Sequence, residues 1–138
     1  KRMRFRACVA VGDRKGRLGL GLAKGADVAL AMTKANNDAR KRIVKINITE
    51  EGSIPHQVLI KWKSSKLLIK PAPVGTGIRA GSVLRPIFEL AGVRNVVAKV
   101  LGSGNRINNA RAVIAALVST RAPRERHAKP KDSNVNNK

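Results

Sequence analysis

Apolar and polar positions alternate from the first residues of the chain. In MRFRACVAV (3–11), Phe5, Ala7, Val9 and Val11 fall on one side and Arg4 and Arg6 on the other, the pattern of a half-buried strand. GDRKG supplies turn chemistry. Leu18, Leu20 and Leu22 then alternate with Arg17, Gly19 and Gly21, so the opening stretch predicts a hairpin. From Asp27 the period changes: Val28, Met32, Ala35, Ala39 and Ile43 recur at steps of three and four, one face of a helix. Asp27 suits its N-terminal end, and Lys41, Arg42 and Lys45 suit the last turn, as the helix dipole favours. The resulting strand-strand-helix unit, roughly 45 residues long, is too small to be a comfortable domain alone.

INITEEGSIP (46–55) loses the helical period, and its Glu-Glu-Gly-Ser sequence predicts a short connecting hairpin and a domain boundary. A second unit follows. Val58, Ile60 and Trp62 alternate with Gln57, Leu59 and Lys61. KLLIK (66–70) reads as a further strand, and PAPVGTGIRAG as a long loop. Ser82 is the expected N-cap of the helix VLRPIFELAG, with Pro86 in its first turn and Gly92 at its end. VRNVVAKVL is strand-like, GSGNRIN is a turn with Asn caps, and Ala110, Val113, Ile114 and Leu117 mark a last helical face. After Thr120 the sequence is aperiodic and basic, which predicts a mobile tail. The expected organisation is α+β: one unit over 1–50, a second over 51–120 and the tail over 121–138.

Composition adds what such a fold carries. Of 138 residues 43% are hydrophobic, enough for a core that must be aliphatic, since there are two Phe, one Trp and no Tyr. Against 8 Asp and Glu stand 29 Lys and Arg, a net charge of +21. Self-repulsion on that scale asks for a polyanion, with nucleic acid first and an anionic membrane surface second. No apolar run approaches the roughly 18 residues of a membrane span, and none resembles a signal peptide, so a soluble intracellular protein is expected. Cys8, alone and within an apolar run, is expected to be a buried, inert thiol.

The glycine-rich stretches invite a nucleotide-enzyme reading that their spacing does not support. Gly16 and Gly21 have the separation of a phosphate-binding P-loop, but Leu22 stands where its lysine must be. Gly19, Gly21 and Gly25 overshoot a dinucleotide fingerprint by one residue, and Gly75, Gly77 and Gly81 miss in the same way. The acids are scattered, with Asp27, Asp38 and Glu89 read as helix-end or surface charges. His56 and His127, with one Cys, make no metal set. No catalysis, cofactor, metal or small-molecule substrate is expected. Binding asks less: Arg4, Arg6, Arg14, Lys15, Arg17 and Lys24 lie within one small unit, where glycines let backbone approach phosphates. With few aromatics to stack on bases, helical RNA read by shape and phosphate is favoured.

RFRACVAVGDRKGRLGLGLAKG (4–25) and KPAPVGTGIRAGSVLRPIFELAGVRNVVAKVLGSGNRIN (70–108), in this order and separation, resemble the bacterial-type small-subunit ribosomal protein S-five family, up to about Leu117. The resemblance implies a structural, non-enzymatic constituent of the small ribosomal subunit, cytoplasmic or organellar. Its first unit would be similar to double-stranded-RNA-binding domains, and its second a β-α domain with a left-handed βαβ crossover. The family binds ribosomal RNA where messenger RNA enters, beside proteins S-four and S-eight, and influences decoding accuracy.

Carried over by residue, the basic hairpin implies RNA contacts by Arg4, Arg14, Gly16, Arg17, Gly21 and Lys24, beside Arg6 and Lys15. In GSGNRIN, Asn105, Arg106 and Asn108 join them. GTGIRAGSVLR implies an S-four-facing surface at Gly77 and Arg85. Arg79 and Pro86 stand where the family has small apolar residues, an exchange expected either to alter local packing or to add an RNA contact, with Arg79 counted among the expected RNA-binding residues. The family pattern also has a strand and a basic, antibiotic-sensitivity loop upstream of Arg4; the sequence here begins at Lys1. A free-standing double-stranded-RNA-binding regulator is the alternative, and a small-molecule kinase sharing the second fold a third class.

Overall fold

The computed structural model describes residues 2–120. The expected basic tail and His127 lie outside them. Strands β1 (Phe5–Gly12) and β2 (Arg17–Gly25) form the hairpin, antiparallel from Phe5 opposite Gly25 to Gly12 opposite Leu18. Helix α1 (Val28–Lys41) follows, and β3 (Val44–Lys45) returns antiparallel to β2. A second sheet holds β4 (Val58–Trp62), β5 (Ser65–Pro71), β6 (Ile78–Arg79) and β7 (Val96–Val100) in the order β4-β5-β7-β6. Helix α2 (Leu84–Ala91) joins the parallel pair β6 and β7, and α3 (Arg106–Ser119) closes the fold. The architecture is α+β.

The two faces of β2 have different work. The glycine face takes α1: a Cβ on Gly21 would overlap the carbonyl of Ala35, one on Gly19 the carbonyl of Ala39, and one on Gly25 the backbone of Ala31. The helix therefore lies almost on the strand's backbone, and only alanines fit between them. Ala31, Ala35 and Ala39 are fully buried. This corrects the expected helix face, because Met32 is 54% exposed and Val28 and Ile43 are also exposed. The leucine face points the other way. Leu18 is fully buried among Ile46, Ile54, Leu67, Leu84 and Phe88, with Ala10 and Leu20 packed beside it. The hairpin and the second unit thus share one aliphatic core.

β1 departs from its expected pattern at two places. Ala7, Val9 and Val11 are half-buried as the alternation predicts, but Phe5 is exposed near the strand's start. Cys8, expected to be buried, is exposed. It belongs to the Ala10 and Leu20 face but sits further along the strand, at the rim of a crevice with Ile87, Arg106 and Ile107. The segment 46–57 contains no strand, contrary to the expected hairpin. It closes as a turn in which the Thr49 amide donates to the Ser53 carbonyl (2.8 Å) and the Ser53 amide donates to Thr49 Oγ1 (3.1 Å). Burial of Ile46 and Ile54 holds it to the core.

Caps delimit the helices. Asp27 accepts from the Val28 amide at 2.7 Å, and Asn105 Oδ1 accepts from the amides of Ile107 and Asn108 at 3.1 and 3.4 Å. Gly92, at φ 88°, ends α2 with Val93 donating to the Phe88 carbonyl. Ser82 does not cap α2. The first amides, Leu84 and Arg85, donate instead to the Gly81 carbonyl, and no side chain caps the helix.

Candidate nucleic-acid interface

The hairpin turn is built around Asp13. Its Oδ1 accepts from the amides of Lys15 (2.8 Å) and Arg17 (3.3 Å). The Lys15 amide foremost lowers its pKa from the ordinary carboxylate value; desolvation opposes this, and the Arg17 amide and guanidinium add to the lowering. Arg14 adopts φ 60°, a left-handed conformation that costs a side-chain-bearing residue free energy. Its amide donates to the Leu90 carbonyl (2.9 Å) and that of Gly16 to the Ala91 carbonyl (3.0 Å), while the Gly16 carbonyl accepts from Ile46 (2.7 Å). The turn therefore satisfies the last carbonyls of α2, groups a helix cannot satisfy itself.

The hairpin's six expected phosphate ligands, Arg4, Arg6, Arg14, Lys15, Arg17 and Lys24, are all exposed. They do not form one patch. Arg6 lies directly opposite Lys24 near the open end of the hairpin, with Arg4 just before the strand. Arg14, Lys15 and Arg17 sit at the turn, where Arg17 lies opposite Lys45. The strand between separates the two groups by about 20 Å at 3.3 Å per residue. Like charges directly opposite each other destabilise a sheet. Among the described residues no carboxylate lies within ion-pair distance of Arg6 or Lys24, while Arg17 has only a long pair to Asp13 (3.9 Å).

Neighbouring elements extend both groups. Arg106 shares the crevice with Cys8, and the charges of Arg111 and Arg6 act on that thiol. Although the residue is exposed overall, desolvation at the crevice rim raises the Cys8 pKa more than those two cations lower it, which disfavours the thiolate. At the turn, Arg14 shares a cleft with Arg85, Glu89 and Arg94. The chain pattern singled out neither Arg111 nor Arg94. Arg111 lies five residues beyond Arg106 in α3, a separation that does not share a helical face, so no periodicity in the sequence pointed to it. Arg94 joins the cleft only through the docking of the turn on α2.

Three expected contacts have internal roles. Gly16 and Gly21 are buried, the first beneath the Ile46 carbonyl and the second beneath α1, so within the chain the close approach they permit is to protein backbone. Asn105 spends its side-chain oxygen on capping α3. Arg106 is exposed beside it and Asn108 is half-buried.

The Gly77 and Arg85 region is held by a residue outside the expected set. The side-chain oxygen of buried Asn95 accepts from the amides of Gly75 and Gly77, both at 3.2 Å, and its Nδ2 donates to the Glu51 carbonyl at 2.9 Å. Gly75 and Gly77 take φ 95° and 72°, and no atom lies within 4 Å of where their Cβ would be. Arg85 is exposed and pairs with Glu89 at 3.3 Å, and Arg79 is exposed on β6. Among the described residues no group of His, Cys, Asp and Glu could hold a metal, and no helix is long and apolar enough to cross a membrane.

Comparison with known proteins decides what this basic α+β chain is related to. A family model described as "Ribosomal protein S5, C-terminal domain" matches residues 60–130, and another, "Ribosomal protein S5, N-terminal domain", matches residues 1–47. The chain belongs to the ribosomal protein S5 family. It is 50% identical over 119 residues to small ribosomal subunit protein uS5 of Chlamydia trachomatis, covering 86% of this chain and 72% of the relative. It is 46% identical over 121 residues to uS5 of Acaryochloris marina, covering 88% and 68%. To small ribosomal subunit protein uS5c of Phaeodactylum tricornutum it is 46% identical over 117 residues, covering 85% and 66%. S5 proteins are structural, non-enzymatic components of the small ribosomal subunit, in cytoplasm or organelles. Family membership thus sets aside the kinase alternative.

Proposed function

We propose that this S5 chain grips small-subunit ribosomal RNA through phosphates at both ends of its hairpin, near the entry of messenger RNA, and so supports decoding accuracy. The observation that carries the reading is the Arg6 and Lys24 pair: two cations face each other across a sheet with no carboxylate between them, an arrangement that polyanion binding relieves. Arg4, Arg6 and Lys24, with Arg106 and Asn108, form one contact, and Arg14, Lys15 and Arg17 the other; Arg79 adds a third point on the second sheet. A rigid body touching RNA at separated points fixes the angle between the segments it touches, which is how a protein without chemistry stabilises one RNA geometry.

The first unit, a three-stranded antiparallel sheet with α1 on one face, acts in this reading as a double-stranded-RNA-binding-like module. The β6-α2-β7 crossover is inferred to be left-handed, as the family resemblance implies. Gly77 and Arg85 face protein S-four, and S-eight is a further neighbour. The loop held by Asn95 supports such a surface, because Gly75 and Gly77 leave open space where a side chain would otherwise project. Co-sedimentation of the full chain with small ribosomal subunits through high-salt gradients tests the assignment. Recovery in the small-subunit fractions is expected; recovery only in light fractions would favour a free-standing double-stranded-RNA-binding regulator instead.

A further inference from the structure

The leucine row of β2 runs out of the core into a groove. Leu18 is fully buried, whereas Leu22, at the far end of the row, is half-buried and lines a groove with Trp62 of β4 and Val118 of α3. Trp62 is the only tryptophan of a chain without tyrosine, and it is 37% exposed there. Asp38 and Arg42 of α1 and Arg111 of α3 bring charge to the same groove. Asp38 is already engaged: one oxygen accepts from the Leu22 amide at 3.2 Å and the other pairs with Arg42 Nε at 3.1 Å. Among the described residues no carboxylate lies within ion-pair distance of Arg111. The groove also adjoins the open end of the hairpin. Leu22 lies opposite Cys8 and Lys24 opposite Arg6, so the Arg6 and Lys24 pair is the next one on the same face of the sheet. Two residues of strand separate them, about 7 Å.

We propose that this groove takes the base of an unpaired nucleotide, stacked on Trp62 with its phosphate at Arg111, beside the helical RNA that the Arg6 and Lys24 pair grips. The proposal rests on the RNA reading given above and extends it from phosphates to one base. A nucleotide supplies both things the groove lacks, an aromatic face for the indole and an anion for Arg111. An apolar side chain of a protein would cover Trp62 equally well. It would leave Arg111 and, one step along the sheet, Arg6 and Lys24 without an anion. A second copy of this basic chain, or its own segment 121–138 with Arg121, Arg124 and Arg126 at its start, brings further cations to the same place. Because each oxygen of Asp38 already holds a donor, the base is bound by its face and not read at its edge, the sequence-tolerant mode of stacking.

A single tryptophan makes the groove its own reporter. The full chain is titrated with an RNA hairpin carrying one bulged adenosine, with the same hairpin made abasic at the bulge, and with the uninterrupted duplex; Trp62 emission and filter retention are read together. The bulged RNA is expected to quench the emission and to bind about fivefold or more tighter than the other two, the low end of base stacking on an aromatic ring. The abasic hairpin and the duplex are expected to bind without quenching. Trp62→Leu is expected to remove the preference for the bulge while duplex binding stays unchanged, which separates lost stacking from lost folding, and Trp62→Phe to keep the preference. Equal quenching by all three RNAs overturns the proposal, as do binding of the bulged RNA without quenching and an equal loss on bulged and duplex RNA in Trp62→Leu. Emission already shielded from acrylamide in the free chain overturns it too, since the chain then fills the groove itself. In assembled small subunits, p-benzoylphenylalanine in place of Val118 is expected to cross-link to RNA, and a cross-link to protein instead overturns the proposal. Failure of the chain to bind any of the three RNAs overturns the RNA reading as well, a distinct result.

Discussion

Gly21 of β2 faces Ala35 of α1 so closely that a methyl group on the glycine would overlap the alanine's carbonyl oxygen. Backbone is on both sides of that contact, so neither partner can rotate away. Gly21→Ala is expected to destabilise the fold by on the order of 3 kcal/mol, the scale of overpacking in a rigid site. Gly104→Ala, where the added Cβ meets nothing within 4 Å, is expected to change stability by less than about 0.5 kcal/mol. Urea unfolding of both variants checks the contrast, and equal midpoints would refute the packing account.

Asn95 holds the Gly75 to Gly77 loop by two accepted bonds while tying it to the 46–57 segment through Glu51. Asn95→Ala leaves two amides without their acceptor, at a cost of roughly 2 kcal/mol. Hydrogen exchange at Gly75 and Gly77 is expected to accelerate, with the amides inside α1 unaffected. Unchanged protection at both glycines would show that the loop is held by something else.

The hairpin's two cationic groups make a quantitative RNA prediction. Arg6→Glu with Lys24→Glu, and separately Arg14→Glu with Arg17→Glu, are each expected to weaken binding to a small-subunit ribosomal RNA fragment and to lower the salt slope by about 2, one per lost phosphate contact. The groups stand about 20 Å apart along the strand, so the losses are expected to add in the quadruple variant. Filter-binding titrations over a range of KCl concentrations measure this. A slope unmoved by either pair removes that end of the hairpin from the interface.

Asp13 gives the turn a defined acid dependence. Its folded pKa lies below the ordinary aspartate value because backbone amides donate to the carboxylate, that of Lys15 most strongly. A depressed carboxylate contributes stability that is present above its unfolded pKa and is lost as pH falls through the folded one. Carboxyl NMR titration is expected to place the Asp13 midpoint below that of a model peptide. Asp13→Asn is expected to remove this component of acid destabilisation, and a midpoint at or above the peptide's contradicts the turn geometry.

Much of the local structure was legible in the residue pattern because its causes are local. Alternation marked both hairpin strands, Asp27 and Asn105 had the side chains for their caps, and Gly92 had the freedom for φ 88° at the end of α2. Ser82 looked equally suited to a cap and is not one, since the Gly81 carbonyl meets the first amides of α2. The family likeness in 4–25 and 70–108 was legible too, being a matter of residue order. Which positively charged groups belong together was not legible, because strand length separates residues that are close in the sequence and docking gathers Arg14, Arg85 and Arg94 from three elements.

The stretch GDRKGRLGLGLAKG shows where the division falls. By itself the sequence determined a basic hairpin with a leucine face and a glycine face, since a strand's side chains must alternate. Only the tertiary structure decided what each face meets: α1 on the glycines, the second unit's core on the leucines, and the end of α2 on the turn. Those choices depend on the shape and burial of elements far along the chain. They also decided that Cys8 lies at a rim and that α1 buries alanines rather than Met32, because a helix seated on glycine backbone has no room for larger side chains between.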